Sequence, residues 1–357
     1  MKRIIILAAA TLLLMHGSVL AGTAYDFPAV GQASTTLRVE GSGDIEAIAP
    51  LIRDFQAMQP GLSITYVDSL TNELYSTLEL QCNKGEITAD LVFSSSADHM
   101  VKLANDGCAQ PHQSNETRRL PDHAVWHDEV FGFTFEPAVI VYNRDLVPPA
   151  DVPSSRDQLV ELLRRRAAEY MGRVGTYDIA RSGIGYLFAF FDAQQSSAFG
   201  RLLEGLGRAQ ARLYCCTGEL LDDIASGKIL IGYNLLGSYA YGRLKAGAPI
   251  GIVLPRDYTL VLTRAAFVPK HAANPQAGKR FLDYLVSVRG QHVAAQSAFF
   301  FAYGQPLPDG VEAMDPDVQS GIYRPIGIGP SLLAVTDSQK RNRLLDEWRD
   351  VFPAAGE

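Results

Sequence analysis

An excess of cationic charge is the first thing this sequence lacks. It holds 32 Lys and Arg against 39 Asp and Glu, a formal net charge of −7. Nucleic acid and anionic membrane surfaces both call for a basic footprint, so neither is expected as a partner. Past the N-terminus no apolar run approaches the ~18 residues that span a bilayer. No Walker A, G-x-S-x-G or H-E-x-x-H sequence is present, so no nucleotide-binding or hydrolase signature points to an enzyme. His123 and His127 stand at i, i+4 with no third ligand nearby, which favours a structural role over a metal site. Internal repeats and low-complexity segments are missing as well. Cysteine is sparse, at Cys82, Cys108, Cys215 and Cys216, and the first lies far from the N-terminus, which argues against a lipid-anchored form. Of the three possible pairings, Cys82–Cys108 is the easiest. The adjacent Cys215 and Cys216 are either two thiols or a strained bridge, and the preferred reading gives them no part in function.

What is present is the composition of a soluble globular protein, 47% hydrophobic and 20% charged, with mean hydropathy near zero. Its 357 residues suffice for two domains. Residues 1–24 read as a cleavable secretory signal. Lys2 and Arg3 precede an apolar run from residue 4 to 14, and two small-residue cleavage frames follow, Val19-Leu20-Ala21 and Gly22-Thr23-Ala24. Its removal leaves 30 cations against 39 acids, a net −9. The expectation is an exported, monomeric protein in a compartment where disulfides form.

The chain is organised around residues 230–243, L-I-G-Y-N-L-L-G-S-Y-A-Y-G-R. The apolar run 229–233 predicts a buried strand, 234–237 a loop, and Ser238 opens a helix. A strand that ends in a loop at a helix N-terminus points free N–H groups and a positive dipole end at whatever sits there. In α/β sheets that is where ligands bind. The same rhythm recurs earlier, with strands at 36–39, 63–67 and 90–93, each followed by a polar loop and a helix (45–55, 73–81 and 97–104). That pattern predicts a parallel sheet with helices on its faces. Residues 25–35 read as a polar lead-in, and Pro50 predicts a kink or a later start for the first helix. Strands at 131–135 and 138–142 flank Glu136-Pro137, and a second βα series follows from 156 to 226. Strands at 259–263 and 266–268 return to the first sheet, 306–328 is irregular, and a helix over 337–352 closes the chain.

Taken together, seven stretches carry a resemblance: V-E-G-S-G-D (39–44), A-D-L-V-F-S-S-S-A-D (89–98), G-F-T-F-E-P-A-V-I-V-Y-N (132–143), G-T-Y-D-I-A-R-S-G-I-G-Y (175–186), G-Y-N-L-L-G-S-Y-A-Y (232–241), L-P-R-D-Y-T-L (254–260) and N-P-Q-A-G-K-R-F-L-D-Y-L-V-S (274–287). In this order behind a signal segment, the chain resembles the periplasmic solute-binding proteins of ABC importers, in the ferric-iron, phosphoglycerate and sugar-phosphate subgroup. The resemblance implies the type II periplasmic-binding-protein fold, α/β, with two α/β lobes joined by hinge strands around a ligand cleft. Lobe 1 would span 36–138 and 259–304, lobe 2 139–258, and a tail, 305–357, would pack on lobe 2. The hinge crossings would fall near 136–142 and 255–263. The ferric branch places two consecutive tyrosines where this chain has Tyr239-Ala240, a histidine near Asp44 and a carboxylate near Ser95. Iron(III) wants hard oxygen ligands, so the losses count against it, and Tyr239 and Tyr241 would be the residues left for iron.

The loops hold hydroxyls, amides and one cation instead. The candidate ligand contacts are Ser42, Asn72, Ser94, Ser95, Ser96, Glu136, Arg181, Ser182, Gly183, Asn234, Ser238 and Tyr239. Hydroxyls and helix-start N–H groups suit phosphate or carboxylate oxygens, and Arg181 adds a bidentate donor. Plainer roles compete. The three serines suit a helix N-cap, Arg181 can pair with Asp178, and Glu136 suits a hinge. The leading function is capture of a small organic anion, phosphorylated or carboxylate, and its delivery to a membrane permease, with no cofactor. The alternatives are a sensor that feeds a membrane histidine kinase, a ferric-iron carrier, or an enzyme using Cys215 or Cys216 as nucleophile.

Overall fold

The computed structural model describes residues 22–195, 198–296, 311–312 and 322–352. The expected signal segment up to residue 21, and most of 306–328, lie outside the described residues.

The first sheet begins with β1 (Thr23–Phe27), β2 (Thr35–Gly41), α1 (Ile45–Met58), β3 (Leu62–Asp68), α2 (Thr71–Lys84), β4 (Leu91–Ser94) and α3 (Ala97–Asn105). β2 runs parallel to both β3 and β4, as the βα rhythm requires. Two local expectations are corrected. The segment read as a polar lead-in contains β1, an antiparallel edge strand on β3 whose Tyr25 and Phe27 pack on the core. α1 starts at Ile45 rather than later and keeps Pro50 inside it, because only one backbone bond is lost there while Ile48, Leu51, Ile52 and Phe55 bury a continuous face.

β5 (Ala109–Gln110), β6 (Val125–Trp126) and β7 (Val130–Gly132) follow. The chain then enters a second sheet through β8 (Glu136–Asn143), buried along its whole length. α4 (Arg156–Arg165), α5 (Ala167–Tyr170), β9 (Val174–Tyr177), α6 (Gly183–Gln195), α7 (Phe199–Arg208), β10 (Arg212–Tyr214), α8 (Thr217–Ala225), β11 (Ile231–Leu236), α9 (Gly237–Lys245) and β12 (Ile250–Val253) build this unit. Its strand order is β10-β9-β11-β8-β12, with β9, β10 and β11 parallel and β8 antiparallel to its neighbours. β13 (Thr259–Leu262) pairs with β8 before the chain crosses back. β14 (Ala265–Pro269) then slots between β4 and β7 in the first sheet, followed by α10 (Pro275–Val286) and α11 (Val288–Gln296). β15 (Val311–Glu312) extends β12, β16 (Tyr323–Pro325) pairs with β13, and α12 (Ser338–Val351) ends the described chain, capped by the Asp337 carboxylate on the Lys340 N–H at 2.9 Å.

The molecule is thus a type II periplasmic-binding-protein fold of two α/β lobes. The crossings fall at 133–135 and 263–264, just before the first expected stretch and at the end of the second. A hydroxyl stitch joins them. The Thr134 N–H donates to Thr263 Oγ1 at 3.3 Å, and the Arg264 N–H donates to Thr134 Oγ1 at 2.8 Å. The tail reaches further than lobe 2. Residues 330–334 pack on α3 of the first lobe and α12 packs on α7 of the second, so Leu332, Val335, Leu344 and Trp348 share a core with Met100 and Leu187. Both cysteine pairs are bridged, Cys82–Cys108 and Cys215–Cys216.

The second lobe is pinned by a buried polar cluster. Asp192 on α6 is fully buried and accepts from Arg156 at 3.0 Å, Tyr233 at 2.7 Å, Asn234 at 2.6 Å and Tyr258 at 2.8 Å. One carboxylate therefore ties α4, α6, β11 and the entry to β13. Removing it leaves the buried Arg156 with Asp257 as its remaining acidic partner. Asp192→Ala should cost about 3–5 kcal/mol, the range for breaking a buried ion pair from one side. Urea unfolding of the two proteins measures it, and a loss under about 1 kcal/mol, the worth of an exposed pair, would contradict the reading.

Candidate functional site

A cleft of about 350 Å³ lies between the lobes, at the carboxyl ends of the parallel strands of both sheets. Its first wall is the loop after β2, Ser42 to Asp44, with the end of β3 and the start of α2, which bring Asp68, Thr71 and Glu73. Its second wall is Arg181, Ser182 and Ile184 at the start of α6, with 215–218 at the start of α8. Leu236 and Tyr239 come from the organising strand–helix turn, and Arg264 forms the floor.

The floor is an ion pair with almost no exposure. Arg264 Nε donates to Glu136 Oε1 at 2.8 Å, and its Nη1 donates to the Ser42 carbonyl. Glu136 also accepts from Thr134 at 2.8 Å and from Ser238 at 2.6 Å. The Arg264 guanidinium lies 5.5 Å from the centre of the Tyr239 ring. Tyr239 Oη in turn accepts from the Asp44 N–H at 3.1 Å, a bond across the cleft. Burial holds the Tyr239 phenol protonated well beyond its ordinary range.

The first wall is acidic. Burial pushes the Asp68 carboxyl up to about 7, and the neighbouring Asp44 charge adds to the shift. Enclosure raises Asp44 as well, against the pull of Arg264. Asp68 Oδ1 accepts from the Gly43 N–H at 3.2 Å, which fixes the loop that presents Asp44. On the second wall, the Arg181 side chain makes no ion pair or hydrogen bond among the described residues. Asp178, its alternative partner, instead accepts from the Ala180 N–H at 3.0 Å.

Of the twelve expected contacts, Ser42, Ser95, Arg181, Ser182 and Tyr239 line the cleft. The other seven stand elsewhere, each for a stated reason. Ser94 is wholly buried, its hydroxyl bonded to Ser42 Oγ at 3.0 Å and to the Ser96 N–H at 3.1 Å, so it shapes the loop from below. Ser96 begins α3 but makes no side-chain cap, and its hydroxyl faces the lobe seam. Asn234 adopts φ 64° in the irregular part of β11, which turns its amide back towards Asp192 and away from the cleft. Glu136 and Ser238 belong to the hinge pair described above. Asn72 and Gly183 form the seam: Asn72 Nδ2 donates to the Arg181 carbonyl at 2.9 Å, and the Gly183 N–H donates to Thr71 Oγ1 at 2.9 Å. Tyr241, kept for the iron reading, packs beside the core of the second lobe under Lys245.

Residues missing from the expected set are Asp68, Glu73, Thr217, Arg264 and the Cys215–Cys216 pair. Asp68 ends a parallel strand, and that position alone would have placed it at the cleft. Arg264 left no such signal, because it sits in the break between β13 and β14. Among the described residues, no group of three or more His, Cys, Asp or Glu is placed to hold a metal ion.

Residues 37–300 match a family model described as bacterial extracellular solute-binding protein. The chain is 35% identical to the substrate-binding protein of an ABC transporter from Agrobacterium tumefaciens, with a TM-score of 0.86 over 93% of this chain and 99% of that one. It is similar in fold to the periplasmic binding protein AfuA of Actinobacillus pleuropneumoniae, solved with fructose-6-phosphate, at 15% identity and a TM-score of 0.70 over 90% of this chain and 100% of that one. It is also 24% identical over 306 residues to iron uptake protein A1 of Synechocystis sp., covering 78% of this chain and 79% of that protein.

Two outcomes follow from the site's geometry. Asp68 is raised in the folded state above the 3.8 of an ordinary carboxyl, so the folded protein holds the extra proton and stability falls as pH climbs from about 4 to about 7. Asp68→Asn should flatten that fall, read as urea midpoints at pH 5 and pH 8, and an unchanged slope would refute the assignment. At the seam, a Cβ on Gly183 would come within 2.5 Å of Ser96 Oγ and 2.8 Å of Asn72 Oδ1. Gly183→Ala should therefore disfavour lobe closure by about 1–3 kcal/mol, the usual cost of overpacking. Small-angle scattering should show a larger radius of gyration than for the parent, and identical curves would count against the seam as a closure contact.

Proposed function

We propose a function from one premise: the chain belongs to the bacterial extracellular solute-binding protein family and is the solute-binding protein of an ABC transporter. On our reading it works in the periplasm as a monomer and closes on a small organic anion rich in hydroxyl groups, phosphorylated or carboxylate, which it delivers to a membrane permease. The observation that carries the ligand class is the contrast between the two walls. Arg181, with Ser182 and Thr217 beside it, offers donors to an anionic group. Asp44, Asp68 and Glu73 on the opposite wall accept hydrogen bonds, which hydroxyls supply without adding charge. A simple dianion would meet the second wall well and be repelled by the first.

Export fits the position of β1. Cleavage after Ala21 leaves Thr23 and Ala24 free to pair with Asp68 and Val67, whereas cleavage after Ala24 would cut the strand. We take lobe 1 as residues 22–133 with 264–296, and lobe 2 as the intervening chain. Two crossings between separate sheets allow the lobes to rotate as bodies about 133–135 and 263–264. A sensory role would use the same closed state, with a kinase in place of the permease.

Ferric iron is the second reading, favoured by the Tyr239 phenol facing Asp44 and Asp68 as hard oxygen donors on the cleft. One thermal-shift panel separates the two: sugar phosphates, phosphoglycerates, di- and tricarboxylates, and ferric citrate, on refolded, ligand-stripped protein. A ligand at about 100 times its Kd adds about 2.7 kcal/mol, a shift of several degrees. The expected result is a shift with a hydroxylated organic anion that is lost in Arg181→Ala. A shift with ferric citrate alone, lost in Tyr239→Phe, would replace the proposal with the iron reading.

A further inference from the structure

The bridge between Cys215 and Cys216 has no evident structural purpose. A disulfide stabilises chiefly by closing a loop in the unfolded chain, more so for longer loops. Cys82–Cys108 joins residues 26 apart, whereas Cys215–Cys216 joins neighbours and closes almost nothing. Yet this second bridge lies on the wall of the cleft, partly open to it, in the turn between β10 and α8. The turn is held from both sides. Tyr214 Oη donates to Asp223 at 2.6 Å, and the Thr217 hydroxyl is bonded to Tyr177 Oη beneath it. Bridging also removes both thiol hydrogens. What the bridge brings to the cleft wall is a rigid, polarisable unit of two sulfurs and two methylenes that donates no hydrogen bond.

Its neighbour is a carboxylate. A Cβ on Gly218 would lie 3.4 Å from Asp44 Oδ2, so the acidic wall comes up against the edge of this surface. A flat apolar surface beside a hydrogen-bond acceptor matches a saturated ring, whose C–H face packs and whose rim hydroxyls donate. We propose that the Cys215–Cys216 disulfide is a ligand-contacting platform of the cleft that selects a ring-shaped polyhydroxy anion over an open-chain one. The proposal rests on the organic-anion reading above.

The test is calorimetric titration of the parent and of Cys215→Ala/Cys216→Ala with glucose 6-phosphate, a ring, and glycerol 3-phosphate, an open chain. Loss of roughly 55 Å² of apolar contact should weaken the ring ligand about tenfold while the open-chain ligand stays within about threefold. Equal effects on both ligands, or no effect on either, would overturn the platform and leave the organic-anion reading standing. A parent protein that binds neither compound overturns the platform, and the organic-anion reading is then decided by the thermal-shift panel alone. A second measurement uses the parent alone. Saturating glucose 6-phosphate should slow phosphine reduction of Cys215–Cys216, followed by alkylation and mass spectrometry, and leave Cys82–Cys108 reduction unchanged. Reduction of both bridges at the same rates with and without ligand would overturn the proposal even if the double variant fails to fold.

Discussion

A guanidinium with nearly no access to solvent sits where the two lobes meet, and the cleft depends on how its charge is balanced. Taking Arg264 out of water is costly unless a partner and further hydrogen bonds replace its hydration. Glu136 supplies the partner and the Ser42 carbonyl takes another donor. Each contact belongs to a different piece of the molecule: Ser42 to a loop of the first lobe, Glu136 to the first strand of the second, and Ser238, bonded to Glu136, to the start of α9. Moving Glu136 away would strand a buried charge, and moving Ser42 or Ser238 would leave a donor or acceptor of the pair without its partner. The pair therefore fixes the cleft floor, while the hydroxyl stitch at Thr134 and Thr263 leaves a pivot beside it.

That balance decides the electrostatics of the site. Because Arg264 is neutralised by Glu136, it adds little net field to the cleft. The ionisable groups left lining the cleft are Arg181 on one wall against Asp44, Asp68 and Glu73 on the other. A count of cations in the cleft would suggest an anion receptor of ordinary kind, but the committed state of Arg264 removes half of that argument. The upward shifts of Asp44 and Asp68 fit that picture: burial holds the proton on both carboxyls, and nearby acidic charge adds to it, from Asp44 at Asp68 and from Glu46 at Asp44. A ligand that brings hydroxyl donors to them relieves the crowding without a countercharge.

The fold was legible because hydrophobic periodicity and turn chemistry are local. The strands after 36, 63 and 90, the helix that opens near Ser238 and the Asn274–Pro275 helix start all follow from neighbouring residues. The lining of the cleft was legible only where it coincides with those loop positions, as at Ser42, Ser95, Arg181, Ser182 and Tyr239. It failed where the direction of a side chain is set from afar. Asn234 lies in the stretch that organised the reading, yet an irregular backbone and the distant Asp192 draw it behind the sheet. Ser94 and Ser96 share a motif with Ser95, but Ser94 bonds beneath the loop to Ser42 and Ser96, at the start of α3, turns its hydroxyl to the lobe seam. Arg264 was invisible because nothing in a short Thr-Arg-Ala-Ala segment reveals a carboxylate 128 positions earlier.

Closure brings these separate pieces into one argument. In the structure the seam is already made: Thr71 and Asn72 of the first lobe dock on the backbone of 180–183 in the second, and Asp44 meets Tyr239 across the cleft. Each of these bonds has a backbone group on one side, met by Thr71, Asn72 or the Tyr239 phenol, so they reward close approach of the lobes themselves. On the proposed reading, selectivity comes from side chains that closure presses against the ligand and that the seam leaves unused. Those are Arg181, the acidic wall and the disulfide turn. The division is physically sensible, because a latch that tolerated no variation in the ligand would compete with the ligand for the same contacts. With the latch made by the seam bonds and the cleft side chains left to the ligand, ligand binding need supply only the free energy that distinguishes the closed state from the open one.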